Sequence, residues 1–534
     1  MKNLPLIMSL FISIGINAQI QISNFTYNSV SSGSPYGFVE YNDKIYFIGR
    51  TDGFGSEIWQ SDGTNINTKI LKDINPGESD AINLTLLSAT LNNELYFVAK
   101  SVHPYIGGEI WKTDGTEQGT TKVISYTGRT YGLTTVGNQI YFIVLTDETS
   151  LEIWKTDGTA LGTTMVKGGI KALSPPSFQG KINNTFIFYA VIDESGYKNK
   201  VWRSDGTTNG TYPITDDLDG NGSSNGTLSQ YIEYNNKLYF VSRYFLHETD
   251  GTLENTKVIA NLWNATTNLV DFSDVIEVNN KLYFLFYSMD LLKLSIYESD
   301  GTSSGTNEIY TDISDQYFYP SYLSKKNDDL LFTTVNNTKG TSLKSLNTNN
   351  HEVSDLVELD KNLAQPTTFF DPFNACSIDK INGTDYILTT NTSGTRKKGR
   401  IYNSSSNTIN DPEALSSLYM NIPNFTSYGI IYNQELYYSK ENQVWKYDQN
   451  SLSNKAQAYN LSTSIHPNPS SGFLYLNTSN KIKNISIYDI NSRLIFENQE
   501  LNNGKIDITE LKKGVYFLKI NYNGNIVTKK IIKK

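Results

Sequence analysis

The chain has 534 residues, a net charge of −9, 38% hydrophobic and 12% aromatic residues, 36 of them Tyr. At about 100–200 residues per domain this excludes a single small domain, and a mean hydropathy of −0.39 excludes a bundle of membrane spans. One cysteine, Cys376, and four histidines, His103, His247, His351 and His466, exclude a disulfide framework and thiolate metal centres and leave little room for histidine chemistry.

Residues 1–18 run from Lys2 through the apolar stretch Leu4 to Ile16 to Ala18, the pattern of a secretory signal peptide cut before Gln19. That stretch contains Pro5 and is too short for a membrane anchor, so the mature chain is expected to carry no transmembrane segment.

From there to about residue 460 one phrase recurs: EIWQSDGT at Glu57, EIWKTDGT at Glu109 and Glu152, KVWRSDGT at Lys200, FLHETDGT at Phe245 and SIYESDGT at Ser295. Its aspartates are Asp62, Asp114, Asp157, Asp205, Asp250 and Asp300, 43 to 52 residues apart. Upstream of each lies a strand-like run such as KIYFIG at Lys44 or KLYFVS at Lys237, usually entered from turn residues such as Asn92-Asn93 or Asn235-Asn236. Weaker copies at Leu330, Tyr386 and Glu435 bring the count to nine. Eight stands as the alternative, with one degenerate unit outside the array. Four short antiparallel strands per unit at this period predict an all-β chain built as a β-propeller over residues 19–460.

The six aspartates read as structural turns, because a catalytic group is needed once and not once per unit. Asp caps backbone, Gly supplies a positive φ, and Thr opens the next strand. Asn67, Gly119, Gly162, Gly210, Asn255 and Gly305, five residues after each Asp, suggest a second left-handed position. The aromatic column Trp59, Trp111, Trp154, Trp202 and Tyr297 reads as packing between units, and His247 in the same column as a packing substitute.

No HExxH, GxSxG, phosphate loop or paired CxxC is present, and nothing points to a catalytic pair. Asp217, Asp219 and Asn221, with Gly222, follow the alternating ligand spacing of a calcium loop, but position 12 is Leu228 where a bidentate Glu is required. Two readings stay open for this segment: a calcium site, and an acidic Gly/Ser-rich connection.

Residues 461–534 form a second unit. It opens on His466-Pro467-Asn468-Pro469-Ser470-Ser471-Gly472, continues through YDINSRLI and LKKGVYFLKI, the latter containing Gly514, and ends on a lysine-rich strand; the spacing predicts a small Ig-like β-sandwich. This unit carries 11 Lys+Arg against 5 Asp+Glu, so the remainder holds a net charge of −15, which repels phosphate backbones and argues against a nucleic-acid partner.

Two resemblances follow from these residues. The repeated phrase resembles the ELWxxDGT repeat of exported bacterial proteins, with Lys200 and Phe245 in place of Glu and His247 and Tyr297 in place of Trp; that family implies a propeller surface module and no particular catalytic residues. The array from Pro467, Asn468, Pro469 and Gly472 through Gly514 to the final lysines looks like the C-terminal sorting domain of type IX secretion substrates, departing from it at Ser492. It implies a Gram-negative cell, a type IX translocon as partner, removal of the tail, and release or surface attachment of the passenger. Together they suggest a secreted or cell-surface binding and adhesion module for an extracellular glycan or protein, with loops such as Gln316-Tyr317-Phe318-Tyr319 able to stack on sugar rings. A secreted polysaccharide hydrolase or lyase is the alternative, and a structural surface component a third reading.

Overall fold

In a computed structural model, the structure describes residues 19–26, 34–82, 86–102, 107–146, 150–172, 176, 178–193, 197–216, 218, 231–242, 245–262, 270–288, 291–313, 323–336, 340–360, 377–380, 385–392, 396–406, 408–410, 429–447, 464–477, 484–489, 493–498, 504–522 and 525–534. They form two compact units, divided at residues 448/449. Among the described residues no helix is long and apolar enough to cross a membrane.

Among the described residues the first unit holds nine four-stranded antiparallel sheets, eight of them plain meanders. The first sheet shows the pattern: Tyr36–Tyr41, Lys44–Thr51, Gly55–Ser61 and Lys69–Lys72. Its first turn, Asn42-Asp43, has φ of 48° and 53°, and Asn92-Asn93, Asn235-Asn236 and Asn279-Asn280 repeat this left-handed pair. Two consecutive positive φ values make the tight hairpin whose twist matches the flanking strands, and Asn tolerates them better than most residues. The second strand of the first sheet is buried on both faces, which is why it reads as an unbroken apolar run (Ile45, Tyr46, Phe47 and Ile48 are all 0% exposed).

Sheet packs on sheet. One apolar cluster joins the first and second sheets through Tyr46, Ile58, Leu95 and Phe97, another the third and fourth through Tyr141, Ile153, Phe186 and Trp202. The last joins the ninth sheet back to the first through Tyr432, Tyr437 and Val444 against Phe38, Ile45 and Phe47. The unit is thus a β-propeller that closes on itself.

Closure has a feature that the repeat count does not show. The ninth sheet takes Gly429–Tyr432, Glu435–Lys440 and Gln443–Tyr447 from the end of the body, but its fourth strand is Gln19–Gln21, with Gln19 opposite Tyr447 and Gln21 opposite Trp445. Beyond it Ile22 N–H donates to the Val444 carbonyl at 2.9 Å. The Gln443 side chain then grips Phe25 as a strand would, its Oε1 accepting from Phe25 N–H at 2.9 Å and its Nε2 donating to Phe25 O at 3.0 Å. Phe25 meets Trp59 of the first sheet edge to face at 4.6 Å. This strap spans the seam.

The second unit packs a three-stranded sheet (Ser464–His466, Phe473–Asn477, Lys505–Asp507) on a four-stranded one (Leu494–Asn498, Asn484–Tyr488, Gly514–Tyr522, Asn525–Lys533). Leu474, Leu476 and Ile506 from one meet Ile485, Ile487, Leu518 and Ile520 from the other in a single core.

Candidate functional site

In a meander, the connections between strands 1 and 2 and between strands 3 and 4 lie at one end of the sheet; those between 2 and 3, and from 4 to the next sheet, lie at the other. The first end is uniform. In six sheets the connection from strand 3 to strand 4 is the DGT loop, from 62–68 in the first to 300–306 in the sixth, always of one length.

Each loop satisfies its own polar groups. Asp114 Oδ1 accepts from Thr116 N–H at 2.9 Å and from Thr116 Oγ1–H at 2.7 Å, while Thr116 Oγ1 accepts from Gly119 N–H at 2.9 Å. The residue before the Asp and a Thr seven positions later share a hydrogen bond across the neck, Thr113 with Thr120 at 2.8 Å, and Ser61 with Thr68, Thr156 with Thr163, Ser204 with Thr211, Thr249 with Thr256 and Ser299 with Thr306 do the same. This pair stands in the sequence at fixed spacing, and reading DGT alone passes over it. Hydrogen bonds from Thr116 hold the Asp114 carboxyl below its ordinary value, and Asp157 is held down in the same way by Thr159.

Two expectations about this loop are corrected. The DGT glycines are left-handed, Gly158 at φ +93° for example, but the second Gly or Asn is not; among the described residues none of the six has a positive φ. Gly119, Gly162, Gly210 and Gly305 are glycine because a Cβ would lie 2.0–2.1 Å from the Asp carboxylate. Where Asn stands instead, its amide donates to that carboxylate, Asn67 to Asp62 at 2.6 Å and Asn255 to Asp250 at 2.8 Å. The Thr does not open the next strand either: strand 4 begins only at Lys69 in the first sheet, and Thr64 is spent on the loop.

The DGT glycine also receives the neighbouring sheet. A Cβ on Gly158 would lie 2.1 Å from Tyr96 Oη of the preceding sheet, one on Gly115 2.8 Å from Tyr46 Oη, and one on Gly63 2.3 Å from Tyr437 Oη across the seam. Tyr46 Oη is buried with no hydrogen-bond partner among the described residues, but in other sheets a carboxylate on strand 2 or strand 3 holds the corresponding hydroxyl. Tyr96 donates to Glu94 at 3.0 Å, which also receives Lys112 at 3.0 Å, whereas Tyr239 donates at 3.3 Å to Glu248, which receives Lys237 at 2.8 Å. The acid and the base exchange strands and the bridge survives. The seventh sheet has no DGT; there His351 Nε2 reaches Glu298 of the sixth at 3.2 Å.

In the aromatic column, Trp154 stacks on Phe142 at 6.1 Å, Trp202 on Phe188 at 5.9 Å and His247 on Phe240 at 4.9 Å. His247 is buried, bonds to Ser242 Oγ at 2.9 Å, and is pushed down to about 4 by that burial, so it stays neutral. A Ser–His pair sealed in a sheet interface offers no nucleophile to a substrate.

The opposite end is irregular. Its connections to the next sheet run from two residues (127–128) to eighteen (411–428). Of the 14 prolines, Pro35, Pro76, Pro104, Pro175, Pro176, Pro320, Pro366, Pro372, Pro412 and Pro423 all fall in this end's connections and none in the uniform end's turns. Asp217, Asp219 and Asn221, with His103, Cys376 and Gln316 to Tyr319, belong to these connections and lie outside the described residues. Among the described residues no group of three metal-ligating side chains occurs.

In the tail the first and last parts of the motif are one contact. Asn468 Oδ1 accepts from Ile532 N–H at 2.9 Å and its Nδ2 donates to Lys530 O at 2.8 Å. Ser470 N–H donates to Ile532 O, and Lys534 N–H to Ser470 O, both at 2.9 Å. Pro467 and Pro469, which lack N–H groups, flank this added edge and shield the final strand from further pairing. Gly472 and Gly514 have ordinary φ, and a Cβ would meet only ordinary van der Waals neighbours (Thr509 Cγ2 at 3.6 Å and Tyr516 Cε2 at 3.7 Å), so nothing in the structure requires glycine at either.

No curated protein matches the chain. Among solved structures it is similar to a prolyl endopeptidase (12% identity, TM-score 0.37, covering 70% of this chain and 55% of that one). It is also similar to puromycin hydrolase (10%, 0.32, 69% and 62%) and to Saccharomyces cerevisiae Sqt1 (10%, 0.40, 73% and 98%). The chain therefore spans little more than half to three-fifths of the length of the two hydrolases. Residues 464–534 match the family described as the secretion system C-terminal sorting domain, and with such a tail the protein is exported by type IX secretion to the cell surface or extracellular space.

Proposed function

We propose that the body is an extracellular binding and adhesion module whose ligand, a glycan or a protein, seats on the irregular end of the propeller. The observation that carries this is the asymmetry between the ends. One is closed by six self-satisfied loops of equal length, while the other gathers the long, unequal, proline-bearing connections that a ring of sheets presents around one axis. Replacing connections 361–376 and 411–428 by short Gly/Ser segments should abolish binding on an array of bacterial and host glycans and matrix proteins, and Glu117→Gln in a DGT loop should leave it intact. Equal loss from both, or from neither, overturns the assignment of the end. Breakdown of a bound polysaccharide would replace a binding module by a hydrolase or lyase.

The tail supplies the address. A chain ending at Asn460 should accumulate, folded, in the periplasm, and an unrelated reporter joined to residues 461–534 should reach the outside. Export of the shortened chain at the full-length level would remove the sorting role from the tail.

A further inference from the structure

The carboxylates of the repeated EIW phrase do not all do the same work. Glu109 Oε2 accepts from Trp111 Nε1 at 2.8 Å and its Oε1 from Lys122 at 3.1 Å; Glu152 Oε2 accepts from Trp154 Nε1 at 2.8 Å. Glu57 has turned away from its tryptophan, and Trp59 Nε1 donates instead to Gly49 O at 3.1 Å. The Glu57 side chain is 0% exposed and accepts from two consecutive backbone N–H groups, Ile74 at 3.0 Å and Asn75 at 2.9 Å. Both belong to the connection 73–87, on the irregular end.

That connection lies flat on the first sheet. Asp80 Oδ1 accepts from Ser56 N–H at 2.9 Å and pairs with Arg50 at 2.6 Å, and Ala81 N–H donates to Ser56 O at 2.9 Å. At Gly55 the approach is so close that a Cβ would come 2.7 Å from the Ser79 carbonyl. The segment 73–82 is therefore a flap pinned at two carboxylates. Asp80 shares its pin with a guanidinium; Glu57, among the described residues, makes no ion pair.

We propose that Glu57 makes this flap a proton-controlled gate, held down at acidic pH and released as pH rises through neutrality. A carboxylate sealed from water with only backbone donors is costly to ionise, and lifting the flap hydrates it. The charged groups facing it are Asp73 on the flap, which opposes its ionisation, Lys100 on the second sheet, which favours it, and the Asp80–Arg50 pair. Asp73 Oδ1 is itself buried with no donor among the described residues. Burial above all, with Asp73 adding to it, pushes Glu57 up to about 7 against the hydrogen bonds from Asn75 and Ile74. Glu109, in the same column, has its tryptophan and lysine partners and is held below its ordinary value although burial opposes them. The direction follows: the closed flap keeps a proton that the open flap gives up, so raising the pH favours opening until both forms are ionised. The gate is a property of the flap and holds whether or not this end of the body takes a ligand.

Hydrogen exchange of the full chain reads it directly. With an ordinary value of 4.5 open and about 7 closed, opening at Ile74 and Asn75 should be about 70-fold more frequent at pH 8 than at pH 5, after correction for intrinsic exchange. Over the same range the strand Thr164–Lys171 should show no such change. Glu57→Gln, which can accept from only one of the two N–H groups, should hold the flap less tightly at every pH and lose the dependence. Protection at Ile74 and Asn75 that stays flat with pH in the wild-type chain overturns the proposal without reference to any variant, and so does a glutamine variant that retains the slope.

Discussion

Gly158→Ala will cost the body about 2–5 kcal/mol, the sum of about 1–2 for forcing alanine into the left-handed region and about 1–3 for overpacking. Its φ is +93°, and the new Cβ would lie 2.1 Å from the Tyr96 hydroxyl of the preceding sheet. The two parts are separable. Tyr96→Phe removes the atom in the way at the cost of its hydrogen bond to Glu94, so the double variant should be more stable than the sum of the singles by about 1–2 kcal/mol. Gly162 is the contrast: its backbone is not left-handed, and Gly162→Asn, which copies Asn67 and Asn255, should cost less than about 1 kcal/mol. Denaturant unfolding of the four proteins decides the matter, and equal losses at Gly158 and Gly162 would show that the loop glycines serve a single purpose.

Removing residues 19–25 should be costlier still. Ile22 is 0% and Phe25 8% exposed, and burial of such side chains stabilises by about 1.5–3 kcal/mol each. Gln443 would lose every partner it has on the strap, and Gln443–Tyr447 would become a bare edge, which invites association. The expected result is a melting transition that is lower, broader and dependent on protein concentration, restored toward wild type by adding a peptide of sequence Gln19 to Thr26. An unchanged, sharp transition would mean that closure rests on the sheet faces alone.

Much of this architecture is written in the sequence because it is written many times. Asn-Asn turns, apolar second strands and DGT loops recur at a regular interval, and repetition separates signal from accident. What stays hidden is what occurs once or depends on distance. The strap is three paired residues with no periodicity, and its partner lies more than 400 positions away. Gly119 and Gly115 are the same letter, but one yields room to a carboxylate while the other turns the chain and admits a tyrosine. Glu57 opens the same EIW tripeptide as Glu109 and Glu152, and only the fold of the connection after it shows which way its carboxylate points. The Ser/Thr pair at the neck of each loop is the exception, since its spacing of seven is plain in all six copies.

The strap also settles how the body bears a load. The linker to the tail leaves from Tyr447, at the end of a strand that is hydrogen-bonded on both sides, to Glu435–Lys440 and to Gln19–Gln21. A pull along that strand would load both rows of bonds together in shear, where an edge strand would offer one row only. The body's last strand is in this way doubly anchored against tension applied at its end.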